Sequence, residues 1–276
     1  MRGLSFSPTK SAIETLPPRA LNLYLSLRGT AYYCLNRELR GRCDALLAGR
    51  LNIPADSRGY RLQALQLCQN LQRWSVPWAH SYWSKNSLTH EMIGEEHLRG
   101  ALGRGRGVIL LLSHFGPWPF LIHELKRRGT PINLTYPLNW PDNLQAGEES
   151  RTQFLRSARR VLADNGIVAL MGDVGIVGVS GLGKMAELPF LGDRAGFPLG
   201  GASLAARTSS PLVPVFCLRR ANGRHSIVCT PPISPDDYEG GKLERSTLML
   251  GCYARRLEQM VRDYPQNAYY YLPFAA

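Results

Sequence analysis

His114 is the residue whose type and position in this chain could carry proton-transfer chemistry. It follows closely on five consecutive branched aliphatic residues at positions 108–112, a pattern typical of a buried β-strand. Histidine changes its charge near neutral pH, and it is the side chain that most often serves as a general base. The sequence therefore predicts a strand that brings a candidate base to its carboxyl end.

The residues after His114 indicate a turn. Positions 115–118 read Phe-Gly-Pro-Trp, and this combination favours a backbone corner over a continued strand or helix. Open α/β sheets bind their ligands beside the carboxyl ends of the strands. We therefore expect the active site at this corner, with His114 as its general base.

Strand-like and helix-like segments alternate through most of the chain. Further strands are predicted at 132–136, 167–171, 212–217 and 226–229. Helices are predicted at 95–101, 120–128, 154–162 and 243–262. This alternation predicts an α/β fold with a mixed, largely parallel central sheet flanked by helices.

The first 95 residues depart from this pattern. Leucine, tyrosine and tryptophan recur at spacings of three and four, and prolines separate the segments. We interpret residues 1–95 as a helical N-terminal extension that packs on an α/β domain formed by residues 96–276. The aromatic residues Trp74, Trp78, Tyr82 and Trp83 are expected to form helix core, and an interfacial belt or an acyl-chain wall is the alternative.

The segment from about residue 95 to residue 270 resembles the lysophospholipid acyltransferase superfamily, and most closely its lipid A biosynthesis acyltransferase branch. In that branch a strand ends in His-Phe-Gly-Asn-Trp-Glu, the pattern His-x4-Asp/Glu. Positions 114–118 fit this motif except that Pro117 replaces the Asn, and Pro119 stands where the acid is expected. Further ordered matches are Gly172-Asp173, Leu188-Pro189-Phe190-Leu191-Gly192, Gly201-Ala202-Ser203-Leu204-Ala205, Ser210-Pro211-Leu212-Val213-Pro214 and Tyr264-Pro265-Gln266-Asn267.

The missing acid raises the question of which carboxylate orients His114, because proline cannot do so. A carboxylate on the second ring nitrogen fixes the tautomer and stabilises the imidazolium. We place Glu187 first, since it precedes the Leu-Pro-Phe-Leu-Gly block, Asp173 second, at a strand end, and Glu124 third. The alternatives are that Asp173 only caps a turn and that Glu187 is a surface residue.

The matched blocks also supply candidates for substrate binding. Residues expected to contact the substrate are Phe115, Gly116, Trp118, Phe190 and Gly192. Arg194 is the first candidate for binding a phosphate of the donor, because a guanidinium matches phosphate oxygens bidentately. Lys184 is the second candidate, and an ordinary surface cation is the alternative for both.

Composition narrows the classes of partner. The chain has 276 residues, six cysteines and a formal net charge of +12. The positive charge favours anionic lipid headgroups or an acidic carrier protein as partners, with solvated helix faces as the alternative, and no basic block indicates nucleic-acid binding.

The cysteine spacing predicts free thiols, and neither a metal site nor a cofactor is expected. No apolar run predicts a membrane span or signal peptide, so we expect a cytoplasmic protein, with peripheral contact at the inner membrane face as an option.

The resemblance implies an acyltransferase that moves an acyl group from an acyl carrier protein or CoA thioester to an alcohol or amine acceptor, free or carrier-bound. Two other functions remain open. One is a catalytically inactive homologue that binds lipid or a carrier protein, which the loss of the acid at Pro119 favours and the retained His114 corner opposes. The other is a thioester hydrolase that uses the same residues.

Overall fold

The computed structural model describes residues 16–74, 90–118, 121, 124–125, 127–129, 132–136, 148–177, 183–220 and 224–275. Several predicted features lie outside this part of the chain. Three of the four aromatic residues expected to form helix core, Trp78, Tyr82 and Trp83, are among them, and Pro119 is another. The helix predicted at 120–128 is described only in part.

The N-terminal region is helical over most of its described length. It contains α1 (Pro18–Leu35), α2 (Arg37–Asp44), a π-helical turn (Ala45–Arg50) and α3 (Arg58–Trp74). Local chemistry sets these boundaries. The Asn36 side chain accepts a hydrogen bond from the Leu39 N–H and so caps α2, and the Ser57 hydroxyl accepts one from the Tyr60 N–H at the start of α3. Helices α1 and α3 pack against each other along their lengths.

A six-stranded sheet forms the centre of the molecule. Its strands are β1 (His90–Ile93), β2 (Val108–Leu112), β3 (Ile132–Tyr136), β4 (Ile167–Met171), β7 (Leu212–Arg219) and β8 (His225–Cys229). The strand order is β1-β8-β7-β2-β4-β3, and every pair is parallel except β7 with β8. The predicted mixed, largely parallel sheet is confirmed. Strand β1 corrects the predicted helical extension of residues 1–95, because residues 90–93 pair with β8 at the sheet edge.

Helices surround the sheet as expected. They are α4 (Glu95–Leu102), α5 (Glu148–Ala163), α6 (Gly200–Thr208), α7 (Lys242–Asp263) and the short α8 (Leu272–Ala275). Helix α5 contacts β3 and β4, whereas α6 and α7 contact each other. No helix among the described segments is long and apolar enough to cross a membrane.

A separate two-stranded hairpin was not predicted as strands. Strands β5 (Met185–Phe190) and β6 (Asp193–Pro198) pair in antiparallel fashion, and the connecting residues Leu191 and Gly192 both have positive φ. Two consecutive residues in that conformation form the tight turn that matches strand twist. Side chains along β5 alternate between exposed and buried, and α7 packs against this strand.

Candidate active site

The register of two neighbouring strands places His114 beside Asp173. Leu112, the last residue of β2, pairs with Met171, the last residue of β4. The Gly172 N–H donates to the Leu112 carbonyl over 2.8 Å and so extends the ladder by one bond. His114 and Asp173 each follow the end of their strand by two residues. Parallel pairing in this register therefore delivers both side chains to the same edge of the sheet.

His114 and Asp173 are joined by two hydrogen bonds. The His114 Nδ1 lies 2.9 Å from Asp173 Oδ1, and the His114 backbone N–H donates to Asp173 Oδ2 over 2.6 Å. Asp173 is completely buried, and only 4% of His114 is exposed. A carboxylate acts only as an acceptor, so the arrangement assigns the Nδ1 proton to the imidazole and makes Nε2 its basic nitrogen.

A glycine allows the two strand ends to approach. A Cβ at Gly172 would lie 2.7 Å from Cζ of Tyr253 and 2.8 Å from Cγ of Leu111. A larger residue would displace the Tyr253 ring or the Leu111 side chain. The Tyr253 hydroxyl in turn donates to the Leu112 carbonyl over 2.9 Å, so α7 fixes the end of β2 just before the His114 corner.

The His114 corner is attached to the next strand and to the C-terminal segment. Gly116 has φ +64°, and a Cβ there would lie 2.0 Å from the carbonyl oxygen of Cys217. The Gly116 N–H donates to the Asn267 carbonyl. The buried Asn267 side chain accepts from the Arg219 N–H over 2.9 Å and donates to the Arg219 carbonyl over 3.2 Å. Asn267 therefore connects the corner to the end of β7.

Aromatic residues from the C-terminal segment and from the His114 corner enclose the pair. The Tyr271 hydroxyl donates to Asp173 Oδ2 over 2.6 Å. The rings of Tyr270 and Trp118 stand edge-to-face against the His114 imidazole, at centroid distances of 5.9 and 5.3 Å. Burial, and then the charge of Asp173, raises the pKa of the Tyr271 phenol well above its ordinary value. Burial raises the pKa of Tyr270 to about 12. Both phenols are therefore protonated at neutral pH.

Glu187, the carboxylate ranked first from sequence, is not the partner of His114. It lies on β5 in the separate hairpin and is exposed, whereas Asp173 occupies the Nδ1 side of the imidazole. The prediction that places Glu187 first is wrong, because the order of the motif blocks along the sequence does not determine which carboxylate lies beside His114 in the fold. Glu124 is buried, but Arg127 and Arg128 bind its carboxylate at 2.7 Å each.

The predicted substrate-binding residues separate into three groups. Gly116 and Trp118 lie at the His114 corner. Phe115 and Phe190 are fully buried and pack on the Tyr271 ring, so their contact is with the site's framework. Gly192 and Arg194 lie on the exposed hairpin, where the Arg194 guanidinium donates to the Glu187 carbonyl over 2.6 Å. The exposed Lys184 just precedes this hairpin.

Sequence reasoning missed three residues of the site: Tyr271, Tyr253 and Asn267. Only the match of residues 264–267 to a family block pointed to this region, and it assigned no contact to Asn267. No three His, Cys, Asp or Glu side chains within the described ranges are grouped in a way that could bind a metal ion.

Comparison with known proteins gives three results. The sequence profile of the family described as bacterial lipid A biosynthesis acyltransferase matches residues 71–272. None of the curated proteins matches the chain. Among solved structures, the chain is similar to the 1-acyl-sn-glycerophosphate (LPA) acyltransferase PlsC from Thermotoga maritima, with 14% identity, 87% of this chain and 97% of that chain covered, and a TM-score of 0.38.

The profile match covers most of the 276 residues, including every strand of the central sheet and both members of the His114–Asp173 pair. The protein is an acyltransferase of lipid biosynthesis, and the chain belongs to the bacterial lipid A biosynthesis acyltransferase family.

Proposed function

We propose that the protein transfers an acyl group from a thioester of acyl carrier protein or CoA to an alcohol or amine acceptor, with His114 as general base and Asp173 as its orienting carboxylate. The observation that carries this proposal is the 2.9 Å contact between His114 Nδ1 and the fully buried Asp173. The family supports acyl transfer in general. The geometry supports the assignment of roles.

The reaction follows from the tautomer that Asp173 favours. The His114 Nε2 takes the proton of the acceptor hydroxyl or amine while the acceptor atom bonds to the thioester carbonyl carbon. Asp173 stabilises the imidazolium formed in this step. The tetrahedral intermediate then collapses, the carbon–sulfur bond breaks, and the imidazolium returns its proton to the leaving thiolate. His114 ends as it began, and the products are an ester or amide and a free thiol.

The proposal also accounts for Pro119. The family pattern places the acid five residues after the histidine, and here that position is a proline. Asp173 comes from the neighbouring strand and satisfies the same ring nitrogen. The substitution at Pro119 therefore leaves the imidazole with a carboxylate partner, which favours an active enzyme over an inactive homologue.

Purified protein incubated with acyl-CoA or acyl carrier protein, with and without a lysophospholipid or a long-chain alcohol, tests this function. Free thiol release is followed by absorbance, and the acylated acceptor by mass spectrometry. We expect acceptor-dependent thiol release that falls by about 10²–10⁴-fold in His114→Ala. The half-buried His97 of α4 supplies the matched control, and His97→Ala should retain the wild-type rate.

The outcomes separate the candidate functions. Thiol release that does not depend on any acceptor and yields free fatty acid identifies a thioester hydrolase. Binding of acyl carrier protein or lipid without turnover identifies an inactive homologue. Either result contradicts the proposed transfer reaction.

We further propose peripheral contact with an anionic membrane through α1. Leu23 and Leu27 are each 62% exposed and Leu35 is 80% exposed, so one face of this helix presents apolar side chains to the surface. The exposed Arg19 lies at the start of the same helix, and the chain carries a net charge of +12. An apolar face combined with positive charge is the pattern of a helix that lies in the interface of an anionic bilayer.

Cosedimentation with vesicles tests the membrane contact. We expect more binding to phosphatidylcholine vesicles that contain phosphatidylglycerol than to phosphatidylcholine alone, and a loss on the order of tenfold in Leu23→Gln/Leu27→Gln. Leu243→Gln/Leu248→Gln alters two exposed leucines of α7 and is the matched control. Equal binding of both double variants would contradict the proposal.

A further inference from the structure

Tyr271 lies on the far side of Asp173 from the imidazole. It belongs to a 3₁₀ turn (Tyr269–Tyr271) after α7, 98 residues beyond Asp173 in the chain. Its hydroxyl donates to Asp173 Oδ2, whereas His114 Nδ1 lies on Oδ1. Tyr271, Asp173 and His114 therefore form a continuous chain of hydrogen bonds, with the carboxylate in the middle.

The Tyr271 ring has little freedom to move away from the carboxylate. It stacks on Phe115 with 6.4 Å between ring centroids and meets Phe190 edge-to-face at 5.9 Å. Both phenylalanines and Tyr271 are fully buried. A ring packed on two sides keeps the direction of its hydroxyl, so the donor to Oδ2 is preorganised.

A carboxylate without such a donor would be less well oriented. The terminal torsion of aspartate is broad, so hydrogen bonds must select the rotation that directs one oxygen to Nδ1. Two donors fix Oδ2 here, the His114 backbone N–H and the Tyr271 hydroxyl. Hydrogen bonds to a charged acceptor are stronger than neutral ones and are most specific in a buried site.

We infer that Tyr271 is a positioning residue for acyl transfer: its hydroxyl sets the rotation of Asp173 and thereby the orientation of the His114 imidazole. The inference rests on the proposed function, because the effect is transmitted through Asp173 and His114. Tyr271 acts on catalysis without contact to the reacting atoms.

The chain contains a matched control for the test. Tyr60 of α3 is also buried, and its hydroxyl also donates to a carboxylate, that of Asp44 at the end of α2. Tyr271→Phe and Tyr60→Phe each remove one buried hydroxyl and keep the ring. A purely structural role predicts similar behaviour of the two variants. A positioning role predicts that only Tyr271→Phe alters catalysis.

The kinetic arm compares kcat and KM for the acyl acceptor. We expect Tyr271→Phe to lower kcat on the order of tenfold with KM unchanged, since the lost hydrogen bond is to a charged group. Tyr60→Phe should stay within about threefold of wild type in kcat, because the carboxylate that it binds, Asp44, is not part of the His114–Asp173 pair. Equal effects of the two variants on kcat would overturn the inference, whereas absent wild-type turnover would contradict the proposed function alone.

A spectroscopic arm decides the inference even without turnover. In protein labelled with ¹⁵N-histidine, the Nδ1 proton of His114 gives a low-field resonance that His114→Gln identifies by its loss. Tyr271→Phe should displace this resonance, and Tyr60→Phe should leave it in place. If Tyr271→Phe does not fold, 3-fluorotyrosine at position 271 keeps the hydroxyl and makes it a stronger donor. The protein with 3-fluorotyrosine at position 271 should then show the His114 Nδ1 proton resonance moved upfield. An unchanged resonance would overturn the inference.

Discussion

Asp173 and Glu187 are both carboxylates placed by β-strands, but they differ in burial and in the groups that surround them. Asp173 follows β4 in the central sheet, is completely buried and binds three donor groups. Glu187 lies on the two-stranded hairpin and is exposed, and its backbone carbonyl binds the Arg194 guanidinium. Sheet adjacency and burial determine which carboxylate is the partner of His114, whereas the order of motifs along the sequence does not.

Replacing Asp173 should produce the largest effect on activity. In Asp173→Asn one carboxylate oxygen becomes an NH₂ donor, which cannot accept the Nδ1 proton, so the imidazole adopts the other tautomer and loses its basic Nε2. We expect kcat to fall by about 10²–10⁴-fold with the acceptor KM little changed. Steady-state kinetics with a carrier-protein or CoA thioester measures this. A kcat within twofold of wild type would remove Asp173 from the mechanism.

Asn267 should show a smaller effect that combines stability with activity. Asn267→Ala leaves the Arg219 N–H and carbonyl without their side-chain partner, and we expect a loss of about 2–4 kcal/mol in the free energy of unfolding together with a kcat reduction on the order of tenfold. Asn165 accepts a hydrogen bond from the Gly107 N–H just before the amino ends of β4 and β2, away from the site. Asn165→Gly is therefore the control variant for Asn267→Ala. That variant should lose stability and keep kcat. Loss of kcat in both variants would show that sheet stability alone governs activity.

The buried tyrosines of the site predict how stability depends on pH. Burial raises the pKa values of Tyr253, Tyr269 and Tyr271 well above the ordinary value and that of Tyr270 to about 12. Above about pH 10 the unfolded chain releases phenol protons that the folded protein keeps, so the contribution of these phenols to stability is constant below that pH and falls as pH rises. Chemical denaturation at pH 8 to 11 measures how steeply the free energy of unfolding falls with pH. In Tyr271→Phe this fall should be shallower by up to about 1.4 kcal/mol per pH unit. An unchanged slope would contradict burial of the phenol.

Glu187 should produce the smallest effect. Glu187→Gln removes an exposed charge on the hairpin, and we expect kcat and the melting temperature to stay close to wild type, within about twofold for kcat. The same assay used for Asp173→Asn measures it. A loss comparable to that of Asp173→Asn would reverse the comparison between the two carboxylates.

Much of the central sheet could be predicted because its strands are apolar. Residues 108–112 and 167–171 are continuous hydrophobic runs, which is how parallel strands buried on both faces appear in a sequence. Strand β1 was missed because His90 and Glu91 make half of it polar, as an edge strand permits. The hairpin was missed because Pro189 interrupts β5 and disfavours a strand assignment.

The site could be predicted only to the level of His114 and a set of candidate acids. Choosing Asp173 requires the knowledge that β2 and β4 are neighbours in register, which depends on the folded topology. Tyr271 could not be identified, since its contact with Asp173 spans 98 residues and a buried tyrosine has no local pattern that distinguishes a donor from core packing. The side chains that orient the pair come from the C-terminal segment of the chain, which is rich in aromatic residues.

The tautomer of His114 decides whether Asp173 orients the imidazole. ¹⁵N and ¹H NMR of histidine-labelled protein reports which ring nitrogen carries the proton. We expect Nδ1–H with a low-field proton that is lost in Asp173→Asn and retained in Glu187→Gln. A proton on Nε2 in the wild-type protein, or a low-field resonance that survives in Asp173→Asn, would contradict the role of Asp173 as the carboxylate that orients His114.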